Sequence, residues 1–221
     1  MINLSDIIKN YGQPKSIIDY PLNQKNKKII FDFEEVIFLD HNLNLFINDK
    51  KINGNYLDIW QDCIDCWKAN TKNQEIAALG FFSYDFKNLL YSDYQFHKNS
   101  NMKVPYFWFA KPKKMMDVDN YKYNFKPQNL KLTQDLDELK IFEEKIIQIK
   151  KYLYSGDIYQ INYTQPLIFD FIGEALDLYM QIKSIANPKY GFYLDINEHQ
   201  FLSFSPEKFF TKKSNIIKSY P

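Results

Sequence analysis

Residues 155–165 read Ser155-Gly156-Asp157-Ile158-Tyr159-Gln160-Ile161-Asn162-Tyr163-Thr164-Gln165. Just before them Leu139, Phe142, Ile146, Ile149 and Leu153 recur at helical spacing, which lays one apolar stripe along a helix. Asp135, with Glu138 three residues on, forms a capping-box-like start. Lys150 and Lys151 favour the negative helix end, and Gly156 supplies the stop. After the glycine the pattern changes, and Ile158 to Phe171 is read as extended structure. Asp157, Gln160 and Asn162 then point along an apolar strand. Buried amides need hydrogen-bond partners, so this strand is expected either to join a specific polar network or to satisfy neighbouring backbone.

Working outward, Glu174 to Ala186 reads as a helix, and Tyr190 to Ile196 with Gln200 to Phe204 as a hairpin about Asn197-Glu198. Lys208 to Thr211 and Ile216 to Lys218 are expected to extend that sheet. Upstream, Pro127 to Thr133 carries neither periodicity and marks an internal boundary, giving an amino-terminal region 1–130 and a second region 131–221. Residues 28–39 and Leu43 to Ile47 are rich in β-branched and aromatic residues and read as a strand pair. Asn53-Gly54 is a turn signal, after which Tyr56, Ile59, Trp60, Cys63, Ile64 and Trp67 share one helical face. Ile76 to Tyr84 and Val104 to Ala110 suit buried strands, with Pro105 at a strand start or edge, and Val118 with Tyr121 to Phe125 suggests an edge pair. Antiparallel strands with inserted helices make the fold α+β.

The composition narrows the function classes. The 221 residues are 45% hydrophobic and 25% charged, enough apolar material for a packed core. With 28 basic and 27 acidic residues the net charge is +1, so no global field draws the chain to nucleic acid or to an anionic membrane. All the basic residues are Lys; without Arg, a planar fork for bidentate carboxylate recognition is absent. The amino terminus lacks a basic leader followed by an apolar run, and no apolar stretch approaches the roughly 20 residues that cross a bilayer. A cytoplasmic protein is expected, and two cysteines, Cys63 and Cys66, agree with a reducing compartment.

Most chemical motifs reduce to packing or solvation. Cys63 and Cys66 form one C-x-x-C without a second pair, and Cys63 lies on the apolar helix stripe. His41, His97 and His199 stand in separate polar loops without companion ligands. No glycine-rich phosphate loop and no nucleophile elbow is present. The exception is Leu202-Ser203-Phe204-Ser205-Pro206-Glu207-Lys208-Phe209-Phe210. Its Glu207 follows a Ser-Pro bend and precedes two phenylalanines; partly desolvated, it would serve as a proton donor or acceptor. The plain alternative is a strand-edge carboxylate paired with Lys208 or Lys212.

Together these segments resemble the chorismate-binding synthases. Gly156 to Gln165 is similar to their Gly-Asp-x-Tyr-Gln-x-Asn-x-x-Gln strand. Asn187-Pro188-Lys189-Tyr190 and Leu202 to Phe209 follow in the family's order, and Leu79 to Phe86 looks like its Gly-x-x-x-Tyr-Asp segment. Tyr159 with Asn162, Thr164 and Gln165 looks more like aminodeoxychorismate synthase component I, of para-aminobenzoate and folate synthesis, than like anthranilate synthase component I, of tryptophan synthesis.

The resemblance implies antiparallel sheets wrapped by helices, the anthranilate synthase component I-like fold. It implies amination of chorismate at C4, with ammonia from a separate glutamine amidotransferase subunit and Mg²⁺ holding the substrate carboxylate. Glu207 matches the family acid, which protonates the departing hydroxyl. Pro188, Lys189, Tyr190 and Gly191 match a loop that contacts substrate or effector. Residues 30–39 carry no Ser of the kind found in the family's effector strand, so no tryptophan binding is expected. The branch's nucleophilic Lys lies in a Pro-Ile-Lys-Gly-Thr motif of which Pro221 would be the first residue. The metal ligands are likewise expected beyond residue 221, so the chain reads as an amino-terminal half, inactive alone. Anthranilate synthase component I and a non-catalytic amidotransferase-binding module are the alternative readings.

Overall fold

The computed structural model describes residues 2–22, 26–71, 76–91, 93–94, 103–133, 137–196 and 198–219. In chain order its first elements are β1 (Ile2–Asn3), α1 (Leu4–Tyr11), β2 (Ser16–Leu22), β3 (Asn26–Leu39), β4 (Leu45–Ile47), β5 (Lys50–Ile52), α2 (Tyr56–Ala69) and β6 (Leu79–Phe82). A 3-10 turn (Tyr84–Phe86) then runs into α3 (Lys87–Leu90), followed by β7 (Phe107–Val118), β8 (Tyr121–Lys122), β9 (Leu130–Leu132) and α4 (Asp137–Ser155). The remainder is β10 (Phe169–Phe171), α5 (Ala175–Ala186), β11 (Tyr190–Asp195), β12 (Gln200–Ser205), β13 (Thr211–Lys213) and β14 (Ile216–Lys218). The fold is α+β with antiparallel sheets, as the sequence predicts. Two compact units arise by contact, residues up to 124 together with those from 183 on, and residues 125–182. The junction falls inside α5.

The first unit is built on an eight-stranded sheet ordered β12-β11-β2-β3-β4-β5, with β7 also paired to β3 and β6 to β7. Strand β3 is its spine. Along one side it pairs with β7 from Lys27↔Val118 to Leu39↔Phe107. Along the other it serves β2 with its first half and β4 with its last three residues. Both faces are covered, so alternate residues go to different cores. Ile37, Leu39 and Phe107 join Ile64 and Trp67 of α2 in one cluster, while Ile30, Trp108 and Ala110 join Ile18, Leu79 and Leu194 in another. This is why residues 36–39 of β3 and 107–110 of β7 read as continuous apolar runs.

Several boundaries differ from the sequence expectation. β7 does not stop at Ala110 but runs through Pro112, which sits opposite Phe33 amid register shifts. A bulge tolerates the missing N–H there. β6 is confined to Leu79–Phe82, because Tyr84–Phe86 turns into 3-10 geometry. Tyr121–Lys122 does not pair with Val118; it pairs in parallel with β1. Among the described residues β13 and β14 pair with each other and do not extend the main sheet. The elements absent from the sequence reading include α1 and β2. Asn3 caps α1 by accepting from the Ser5 N–H at 3.1 Å, and Leu4 and Ile7 are buried from it.

In the second unit α4 ends at Gly156, which takes φ +80 as the sequence predicts for the stop. The proposed cap, Asp135, lies outside the described residues. The strand expected from Ile158 to Phe171 forms only at its end, where β10 pairs with β9; residues 158–168 are irregular. Gln128 and Gln181 close a reciprocal pair: the Gln128 N–H donates to Gln181 Oε1 at 2.6 Å, and Gln181 Nε2 donates to the Gln128 carbonyl at 3.0 Å.

Candidate functional site

The β11–β12 hairpin brings two of the segments singled out in the sequence together. Tyr190 is in register with Ser205 and Gly191 with Phe204, so Pro188-Lys189 enters the same end of the hairpin from which Pro206-Glu207-Lys208 leaves. Gly191 is buried, Pro188 and Tyr190 are half-buried, and Lys189 is exposed. After the hairpin the chain bends about Ser205, whose hydroxyl donates to the Glu207 carbonyl at 2.8 Å and accepts from the Glu207 N–H at 3.3 Å. That bend explains the Ser-Pro-Glu order: serine closes the turn and proline needs no N–H partner.

Besides Glu207, the charges around this end are cationic and the surfaces aromatic. The Lys208 ammonium sits 5.4 Å from the Tyr190 ring and 5.9 Å from the Tyr20 ring, and Lys189 lies 5.4 Å from Tyr190. Tyr20 and Tyr190 meet edge to face at 5.4 Å. Burial, followed by the neighbouring Tyr190, pushes the Tyr20 hydroxyl above its ordinary value, so it remains a neutral phenol. Behind Tyr20 a cavity of about 450 Å³ is lined by Ile18, Leu79, Gly80, Phe109 and Phe192 among others. No titratable side chain besides Tyr20 faces it among these residues, so it offers shape and apolar surface rather than proton transfer.

Glu207 is exposed, and among the described residues neither Lys208 nor Lys212 forms an ion pair with it. The partial desolvation that an acid requires is not provided by the described residues around it. Asp157, Gln160 and Asn162 are exposed in the irregular stretch of the other unit, not buried in a strand. Asp157 accepts from the Ser155 hydroxyl at 2.5 Å, closing the helix end. The expected buried polar network is therefore absent from the described residues of this segment.

Other candidates reduce to structure. Burial first, then Glu35, pushes the Cys63 thiol up to about 11, which removes it as a thiolate nucleophile. Cys63 packs against the α2 core cluster and Cys66 is exposed, both as the sequence predicts. His199 Nε2 lies 3.2 Å from the Lys103 carbonyl oxygen, and His97 lies outside the described residues. Among the described residues no group of three His, Cys, Asp or Glu side chains gathers to hold a metal ion, so the residues present do not fit a Mg²⁺ ligand set. No described helix is long and apolar enough to cross a membrane.

Sequence reasoning passed over the most enclosed charge of the unit, Asp19 on β2. Its side chain is 1% exposed and pairs with Lys183 of α5 and with Lys27 of β3, the latter at 3.2 Å. It also accepts from the Tyr121 hydroxyl at 2.8 Å. Burial raises its pKa, but Lys183, Tyr121 and Lys27 outweigh that and hold the carboxyl below the usual range. The signal was present as a lone Asp in the apolar run Ser16-Ile17-Ile18-Asp19-Tyr20.

The class of fold follows from comparison with solved structures. The chain superposes on the crystal structure of anthranilate synthase component I from Streptococcus pneumoniae TIGR4 with a TM-score of 0.65 at 16% identity, over 89% of this chain and 54% of that one. It therefore has the anthranilate synthase component I fold, over about half that protein's length. Residues 124–221 match the family model described as chorismate binding enzyme. The relatives agree at low identity. Anthranilate synthase component 1 of Saccharolobus solfataricus is 27% identical over 105 residues, 48% of this chain and 23% of that protein. Aminodeoxychorismate synthase component 1 of Escherichia coli is 30% identical over 80 residues, 36% of this chain and 18% of that protein.

Proposed function

We propose that this chain contributes to a chorismate-aminating synthase of the aminodeoxychorismate synthase component I type. The observation that carries the reading is the chorismate binding enzyme match over residues 124–221, a stretch that includes both the Pro188–Gly191 loop and Glu207. Glu207 acts as the acid: as the C4–O bond of chorismate breaks, its proton goes to the departing hydroxyl, which leaves as water. Lys189 and Lys208, on the same hairpin end, favour an anionic substrate. Ammonia is supplied by a glutamine amidotransferase subunit, and the reaction takes place in the cytoplasm. Mg²⁺ is held by groups outside the described residues, and no step here is assigned through it.

Amination to anthranilate is the second reading, favoured by the solfataricus relative and by the pneumococcal structure. Product identification separates the two. The protein encoded by the complete reading frame is incubated with chorismate, ammonium and Mg²⁺, and the products are resolved by mass spectrometry. A 4-amino-4-deoxychorismate product supports the first reading, anthranilate the second, and recovery of unchanged chorismate at full enzyme loading overturns both.

A further inference from the structure

The loop that carries Pro188, Lys189, Tyr190 and Gly191 is tied at both ends to two adjacent residues of β2. At its far end Phe192 is in register with Ile18 in the β2–β11 ladder. At its near end Lys183, in the last turn of α5, reaches the carboxylate of Asp19, the very next residue. Between these ties the chain makes one sharp reversal. The Asn187 N–H donates to the Lys183 carbonyl at 2.9 Å, and Asn187 takes φ +41, a left-handed conformation that Asn tolerates better than most residues. A ten-residue segment, Lys183 to Phe192, is thus closed over a dipeptide.

The near tie is more than a surface ion pair. The Asp19 side chain is 1% exposed, and the Tyr121 hydroxyl bridges the pair, donating to Asp19 at 2.8 Å while Lys183 Nζ lies 2.9 Å from the same oxygen. The Lys183 ammonium also stands 4.4 Å from the centre of the Tyr121 ring. Partners on two elements, β2 and β8, hold the lysine. The next residue of β2, Tyr20, packs edge-on against Tyr190 of the loop. The strand register, the ionic contact and the ring contact therefore all converge on Ile18-Asp19-Tyr20.

We propose that Asp19 and Lys183 form an ionic clasp that sets the conformation of the Asn187–Gly191 loop, making both of them positioning residues for Lys189 and Tyr190. The value of this to ligand binding rests on the proposed function of the loop; the clasp itself does not. Without the Asp19 carboxylate the last turn of α5 would lose its anchor, and the loop would be held by the β11–β12 ladder from Tyr190 on and by the register of Phe192 with β2.

The test is amide hydrogen exchange, read by mass spectrometry on the 221-residue chain without chorismate. Lys183→Met and Asp19→Asn are expected to speed exchange at Asn187, Lys189, Tyr190 and Gly191 by about tenfold or more beyond any change in β7, the signature of local opening. Lys183→Arg, which keeps charge and reach, is expected to retain the loop's protection. The clasp is overturned if the loop amides in Lys183→Met exchange as in the wild type, or if loop and β7 accelerate by the same factor. Should Asp19→Asn fail to fold, the comparison of Lys183→Met with Lys183→Arg decides alone, since that lysine side chain is 26% exposed. Exchange is read without substrate, so failure of the clasp and failure of the chorismate reading are separate results.

Discussion

Asp19 exchanges water for two ammonium groups and a phenol, and its charge matters to the fold as well as to the loop. Removing one partner of a buried pair leaves the others uncompensated and costs about 3–5 kcal/mol. Asp19→Asn is expected to lose stability of that order in urea melts at neutral pH. The pH dependence follows from its lowered pKa. Stabilisation is complete above the unfolded carboxyl value of 3.8 and is lost as pH falls through the still lower folded value. The wild type should therefore weaken steeply below about pH 4 while Asp19→Asn shows a shallower slope there; identical slopes would contradict the assignment. At this scale the sequence was legible where chemistry is local. Cys63 and Cys66 fell where their stripe placed them, and Gly156 ended its helix. Asp19 was not, because its partners Lys27, Tyr121 and Lys183 are far apart in sequence and nothing local announces them.

Elements were legible where one period ran long enough to dominate. β3, α2, α4, α5 and the β11–β12 hairpin all stand close to their expected bounds. Pro112 and the polar residues after Ala110 hid the second half of β7, because pairing to β3, not propensity, extends that strand through a bulge. Residues 158–168 failed in the opposite direction: apolar enough for a strand, they take irregular backbone up to the start of β10. Close packing between strands makes its own demand at β6. A Cβ on Gly80 would lie 2.1 Å from the Trp108 carbonyl oxygen, so Gly80→Ala must push β6 off β7, at a cost of about 1–3 kcal/mol or more. At Gly156 nothing lies within 4 Å and only the φ of +80 penalises a side chain, about 1–2 kcal/mol. Thermal melts should show Gly80→Ala with the larger loss, together with reduced Trp108 burial by fluorescence; equal losses with unchanged fluorescence would argue against so close an approach.

On the scale of the whole molecule, the family resemblance carried what periodicity did not. It anticipated the fold class and the match of residues 124–221 to the chorismate binding enzyme model, and it drew attention to Glu207 and to the Pro188–Gly191 loop, which lie at one end of one hairpin. The anthranilate synthase component I fold matches this chain over 54% of the solved relative, and Glu207 stands exposed on the part described. An acid in that position depends on further surface to desolvate it, which single-residue patterns do not encode. The account depends most on Glu207 delivering the proton to the leaving hydroxyl, so the deciding measurement is the rate of chorismate amination by the complete reading-frame product, wild type against Glu207→Gln, with ammonium as nitrogen source. The prediction is a fall in kcat of about 10²–10⁴-fold, the range for losing a general acid, with KM for chorismate little changed. A Glu207→Gln protein that aminates chorismate at the wild-type rate would contradict it.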